Sequence, residues 1–198
     1  MNSLVARTTE FTPRFLRAES GGCVVKASLP LTAQERWEDY VRRSFSPKSI
    51  GIRVARNATT NLWSNNPPEW DGAGGYGKRV ASDVARSWIR RGMESAGAAA
   101  LGHDPRYIPC PCENPWKRVG HAFTQSFLTY DNDGDRVFGY ARVGSRYASS
   151  MIETTWFPDR YGWKDGLREG TQSFVSVGVF NIVREFWPEI KGKIKRRK

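Results

Sequence analysis

Histidine and cysteine are scarce in this chain: 198 residues hold two of the first and three of the second. Three cysteines make no disulfide framework, and an odd number carries no signal of compartment. Two histidines leave little for the nucleophile–base arrangements of hydrolases, and neither sits in a recognisable motif of that kind. Long apolar runs are missing too. Mean hydropathy is −0.58, and the uncharged stretch Thr171–Val183 has 13 residues, short of the roughly 20 that span a bilayer. No apolar run of the secretory type follows Met1, so the reading is of no signal peptide. An ordinary charged fraction, 26%, argues against wholesale disorder.

What the chain has in excess is positive charge. Lys and Arg number 31 against 20 Asp and Glu, for a net +11, and 22 of the 31 cations are Arg. The guanidinium fork pairs with carboxylates and phosphates and stacks on aromatic rings, and 25 aromatics are present. This abundance fits nucleic acid, anionic lipid or internal packing equally well. Six of the cations lie in the last eight residues, Lys191–Lys198, which leaves 11 − 6 = +5 on the rest. The body is therefore only mildly basic.

Periodicity predicts a mostly α fold of about six helices in a single bundle with Pro/Gly-rich loops. Residues 1–30 read as a flexible extension with a short strand at Cys23–Ser28, 31–190 as the helical domain and 191–198 as a basic tail. Thr32 and Glu35 form a capping box ahead of a stripe of Trp37, Tyr40, Val41 and Phe45. A second helix starts at Pro47 and stops before Pro67. The Gly-rich segment Asp71–Gly77 reads as a loop or hinge leading into a helix from Lys78 to Leu101. Residues 103–115, with four prolines, read as a loop. Trp116, Val119, Phe123, Phe127 and Tyr130 mark one helix, Asp131–Asp135 a turn, and Tyr140, Val143, Tyr147 and Met151 another helix. The last runs from Lys164 to Trp187, where Pro188 kinks it or opens a new one. Its uncharged stretch Thr171–Val183 is read as the central, most buried helix of the bundle.

Three motif likenesses lack their context. Gly72–Arg79 approaches a P-loop, yet Arg79 stands where Ser or Thr is needed and no buried strand precedes it. Asp131, Asp133 and Asp135 open like a calcium loop, but Arg142 occupies the position of the bidentate Glu. His103, Cys110, Cys112 and His121 have zinc-ligand chemistry without zinc-ligand spacing. His121 lies opposite its helix's apolar stripe and is expected to face solvent. No metal, cofactor or catalytic residue follows from these.

Tryptophan is more informative. Trp63, Trp70, Trp116, Trp156, Trp163 and Trp187 all fall at predicted helix ends or in adjoining loops, where membrane-interface proteins concentrate them. The alternative is that indoles close the two ends of a small bundle. Lys191, Lys193, Lys195, Arg196, Arg197 and Lys198 would attract the phosphates of lipids or nucleic acids.

Pro67-Pro68-Glu69-Trp70, His103-Asp104-Pro105-Arg106-Tyr107, Trp116-Lys117-Arg118 and Glu185-Phe186-Trp187-Pro188-Glu189 together resemble an uncharacterised family of bacterial proteins. The resemblance covers about Leu31 to the C-terminus and implies a helical, envelope-associated protein. It carries no assigned activity, so no catalytic residue is transferred. Members of that family often begin with a secretory leader, from which this sequence departs.

The expectation is a non-enzymatic helical protein bound peripherally to an anionic membrane surface or a cell-envelope protein. The alternative is a nucleic-acid-binding helical domain, in the cytoplasm, that uses the same tail with Arg90 and Arg91.

Overall fold

The computed structural model describes residues 15–20, 23–28, 31–61, 67–110 and 113–196. The fold is mostly α, as the periodicity predicts. Its order is β1 (Phe15–Ser20), β2 (Cys23–Ser28), α1 (Ala33–Phe45), α2 (Pro47–Asn61), α3 (Gly72–Ala100), β3 (His103–Asp104), α4 (Pro115–Thr124), β4 (Leu128–Asp131), β5 (Arg136–Phe138), α5 (Tyr140–Glu153) and α6 (Trp163–Arg196). A 3₁₀ turn at Thr154–Trp156 follows α5. Strands β1 and β2 form an antiparallel hairpin, so the extension holds two strands where the sequence predicts one. Strands β3, β4 and β5 make a small antiparallel sheet in that order. Helices α1 and α2 pack on α3, α5 lies between α3 and α6, and α4 packs on α6.

Local chemistry explains most boundaries. Thr32 Oγ1 accepts from the Glu35 amide, and the Glu35 carboxylate accepts from the Thr32 amide at 2.8 Å, the reciprocal bonds of a capping box. Pro115 opens α4 behind the cap Asn114, a position that needs no amide hydrogen. Gly102 takes φ +68° just past α3, the left-handed conformation that ends many helices and that glycine adopts without steric cost.

Four expectations are corrected. The Gly-rich segment is helical from Gly72 onward, capped by the Asp71 side chain at 2.7 Å. Glycine is a poor helix former, but tertiary contacts override it: the backbone of Gly75 lies so close to the Trp70 carbonyl that no Cβ fits. Tyr76 also donates to the Val54 carbonyl at 3.0 Å. The predicted helix through Tyr130 ends at Thr124, because Gln125 turns away to bond both the amide and carbonyl of Ile108, and Leu128–Asp131 becomes a strand. Part of the predicted loop 103–115 is strand β3, paired with β4. Finally, α6 continues through Pro188 to Arg196, so the basic segment extends the helix. Pro188 is exposed, so water can satisfy the carbonyl that its missing amide leaves unpaired.

The interior is unusually polar. Among the described residues the buried apolar side chains are few, whereas Ser82, Asp83, Arg142, Ser145, Arg146, Ser149 and Glu153 all lie inside. Between α3 and α5, Arg86 pairs with Glu153 at 2.9 Å and Glu169 at 3.1 Å, and Ser82 donates to Glu153 at 2.8 Å. Arg142 Nε pairs with Glu94 at 3.1 Å. Its two terminal nitrogens donate to the carbonyls of Gln125, Leu128 and Pro105 at 2.6, 2.9 and 3.1 Å. Burial alone would raise the Glu94 carboxyl, but Arg142 and Arg90 hold it below its ordinary range. Close helix contacts make this possible. A Cβ at Gly97 would stand 2.9 Å from that of Ala141, and one at Gly166 would stand 2.9 Å from the Met151 Cα.

Candidate functional site

With so many polar groups inside, many large apolar side chains lie outside. The clearest case is α6. Its packed side carries Gly166, Gly170, Phe174, Gly178 and Glu185, all buried. Gly170 is set against Tyr147 of α5 and Gly178 against Phe123 of α4, with no room for a side chain at either. The Phe174 ring stacks on Phe127 at 4.8 Å.

The opposite side is exposed among the described residues. Val175, Val179, Phe180, Val183, Trp187, Ile190 and Ile194 are between 40% and 64% exposed. At about 100° per residue these seven fall within an arc of roughly 140°, over about 30 Å of helix axis. Lys191 and Lys193 fall at the two borders of that arc by the same geometry, and both are exposed. Helix α6 is thus not the central, most buried helix of the bundle that the uncharged run Thr171–Val183 predicts. One of its faces is packed through glycine and Phe174, and the other is open to the surroundings.

The outer end of α6 is held in place by a polar clamp. Tyr107 Oη donates to Glu185 at 2.5 Å and the Cys110 amide donates to the same carboxylate at 3.0 Å. Arg118 of α4 donates to the Glu185 carbonyl at 2.6 Å, pairs with Glu189, and stands 4.3 Å over the Phe186 ring. Burial and the bond to Glu185 raise the Tyr107 hydroxyl far above its ordinary range, so it remains a proton donor to that carboxylate. Several motif residues that carry the resemblance meet here, and their work is structural. They brace residues 184–189 and bring Trp116, two positions before Arg118, to the same end as Trp187.

The tryptophans accordingly divide. Trp116 is 82% exposed and Trp187 54%, the second one turn of α6 before Lys191. Trp163 is exposed at the far end of that helix. Trp70 packs edge-on against Phe157 at 5.0 Å, and the Trp156 indole donates to Ser82 at 2.9 Å. These two tie the fold together. Trp63, Cys112, Arg197, Lys198 and the side chains of Lys195 and Arg196 lie outside the described residues.

Of the other proposed ligands, Cys110 and His121 are otherwise engaged, whereas His103 Nδ1 is buried without a hydrogen-bond partner among the described residues. Cys110 is disulfide-bonded, which removes its thiolate. His121 is buried rather than solvent-facing, because the loop 103–110 folds over its side of α4. Arg136 donates to its Nδ1 at 2.8 Å. A guanidinium cannot accept, so Nε2 carries the proton and donates to the Ile108 carbonyl at 3.0 Å. Neither nitrogen is left for a metal. Among the described residues no group of three His, Cys, Asp or Glu side chains is arranged to hold one.

This arrangement predicts a pH dependence. Burial, reinforced by Arg136, holds the His121 imidazole below its ordinary value, outweighing the Ile108 bond and the Glu185 charge. The unfolded chain therefore binds a proton more readily than the folded one. The stabilisation is complete above the unfolded value of about 6.5 and is lost as pH falls through the lower folded value. Melting temperature should fall over that window, and His121→Gln should flatten the slope. An unchanged slope in the variant would assign the effect elsewhere.

No helix among the described residues is long and apolar enough to cross a membrane. No protein-family model, curated protein or solved structure matches this chain.

Proposed function

We propose that the protein docks peripherally on an anionic membrane surface, in a non-enzymatic role, through the outer face of α6. One observation carries this reading: a largely apolar arc from Val175 to Ile194, exposed among the described residues and bordered by Lys191 and Lys193. A helix of that kind lies in the plane of the interface, with its apolar face at the acyl boundary and its lysines at the headgroups. Trp116 and Trp187 add rings suited to the headgroup level. Each lysine close to an anionic surface contributes on the order of 1 kcal/mol.

The nucleic-acid alternative uses the same cations but gives no role to the apolar arc. Arg90 and Arg91 do not extend it: Arg90 pairs with Glu94 at 3.1 Å, and Arg91 is half-buried against Ser49.

Co-sedimentation with phosphatidylserine-containing vesicles, compared with duplex DNA over rising salt, separates the two. The expected result is vesicle binding at low salt that weakens only in part as salt rises, because apolar contact is not screened. Purely phosphate-driven binding to DNA falls steeply with salt. Absence of vesicle binding at low salt would overturn the proposal.

A further inference from the structure

A separate site lies between α1 and α3. A cavity of about 650 Å³ opens there, within the range of roughly 300–1,000 Å³ typical of small-molecule sites. Its floor is the small-residue side of α3, Gly92, Ala96 and Ala99. Tyr40 stands over that floor, with its hydroxyl 3.7 Å from the place a Cβ on Gly92 would take. Trp37, its ring centroid 5.6 Å from that of Tyr40, continues the wall and is 64% exposed. The indole of Trp37 and the small residues of α3 thus give the cavity apolar surface on two sides.

The far end is polar. Arg36 is the one charged side chain of the lining. It is held by two bonds, from Nε to the Leu31 carbonyl at 3.3 Å and from Nη1 to the His103 carbonyl at 2.9 Å. Both partners are uncharged, and no described carboxylate pairs with it. Glu35 is turned back onto the Thr32 amide. The start of α1 and the end of α3 meet at this end, and their opposite partial charges offset one another. What remains is a positioned cation at the head of a mostly apolar trough, in which Ser95 and Asn132 are the uncharged polar lining residues besides Tyr40.

We infer that this trough binds a single-chain anionic amphiphile, a long-chain carboxylate. Its acyl chain would lie on Gly92, Ala96 and Ala99 beneath Trp37 and Tyr40, and its carboxylate would face Arg36. Charge complementarity selects this occupant: one cation at one end, no other charge along the walls. The site shares no residue with the outer face of α6, so its fate is independent of the vesicle result.

Titration of the full chain with monomeric dodecanoate, followed by calorimetry, tests it. The expected result is saturation at one molecule per chain. Trp37→Ala, at an exposed position the fold tolerates, should weaken binding about tenfold, the effect of losing one aromatic wall. Ala96→Phe should fill the trough and abolish binding, with circular dichroism confirming the fold. Arg36→Gln should weaken dodecanoate about tenfold, the scale of one charge-assisted contact, and leave the affinity for dodecanol unchanged. Three results would overturn the inference: no saturable binding, affinity equal to wild type in folded Ala96→Phe, or a Trp37→Ala effect on self-association alone.

Discussion

Replacing Arg142 with Met should cost about 3–5 kcal/mol, the range for removing one partner of a buried ion pair. For a chain of this size each kcal/mol lowers Tm by roughly 2–4 °C, so the loss is readily seen by thermal or denaturant unfolding. The side chain is only 8% exposed and its Glu94 partner 14%. Truncation would strip Glu94 of the nearer of its cations on α5, leaving the ion pair with Arg90 at 3.1 Å and the more distant charge of Arg146. It would also leave the carbonyls of Pro105, Gln125 and Leu128 without their donor, and unsatisfied buried carbonyls are costly in their own right. These belong to three different segments, so Arg142 is the point where α5 holds the loop after β3, the end of α4 and β4 together. Arg142→Lys should recover little, because an ammonium cannot reach a carboxylate and three carbonyls in the directions a planar fork does. A Met variant within about 1 kcal/mol of wild type would show that water replaces the guanidinium and that the hub is not structural.

The largest functional effect is expected on α6. Val179→Ser, Val183→Ser and Ile190→Ser combined should reduce vesicle binding by on the order of a hundredfold. Each apolar methylene moved back to water costs about 0.8 kcal/mol, and each tenfold in affinity corresponds to about 1.4 kcal/mol. All three positions are at least 40% exposed, so stability should stay within about 0.5 kcal/mol, as for ordinary surface substitutions. Lys191→Glu with Lys193→Glu should instead lower binding at low salt and have little effect at high salt, since screening removes that contribution. If the serine variant bound as wild type while the glutamate variant lost all binding, the contact would be electrostatic and the apolar arc would have another occupant. The two variants therefore separate the parts of the proposed surface.

The boundaries that the sequence reveals are those set by short-range chemistry. The capping box at Thr32 and Glu35, Pro115 at the start of α4, and the Asp131–Asp135 turn each depend on side chains bonding backbone a few residues away. In the turn, the Asp131 carboxylate accepts from the amides of Asp133 and Asp135. Where tertiary contacts compete with local preference, the reading goes astray. Gly72–Gly77 is helical because Trp70 and Val54 lie against it, and Phe127–Tyr130 leaves the helical pattern because β3 and β5 pair with that segment.

The candidate surface was half legible for the same reason. Lys191 and Lys193 are conspicuous in any reading, but Val175, Val179 and Val183 look like core, since an uncharged run says nothing of which way it faces. Only the assembled fold decides that. Glycines at 166, 170 and 178 bring one side of α6 against α5 and α4, buried Arg–Glu pairs fill the space that apolar groups would otherwise take, and the valines are left outside. The sequence alone determined that the chain is mostly helical and that positive charge gathers at one end. The tertiary structure decided which face of the last helix meets its surroundings, because exposure depends on the neighbouring helices and not on composition.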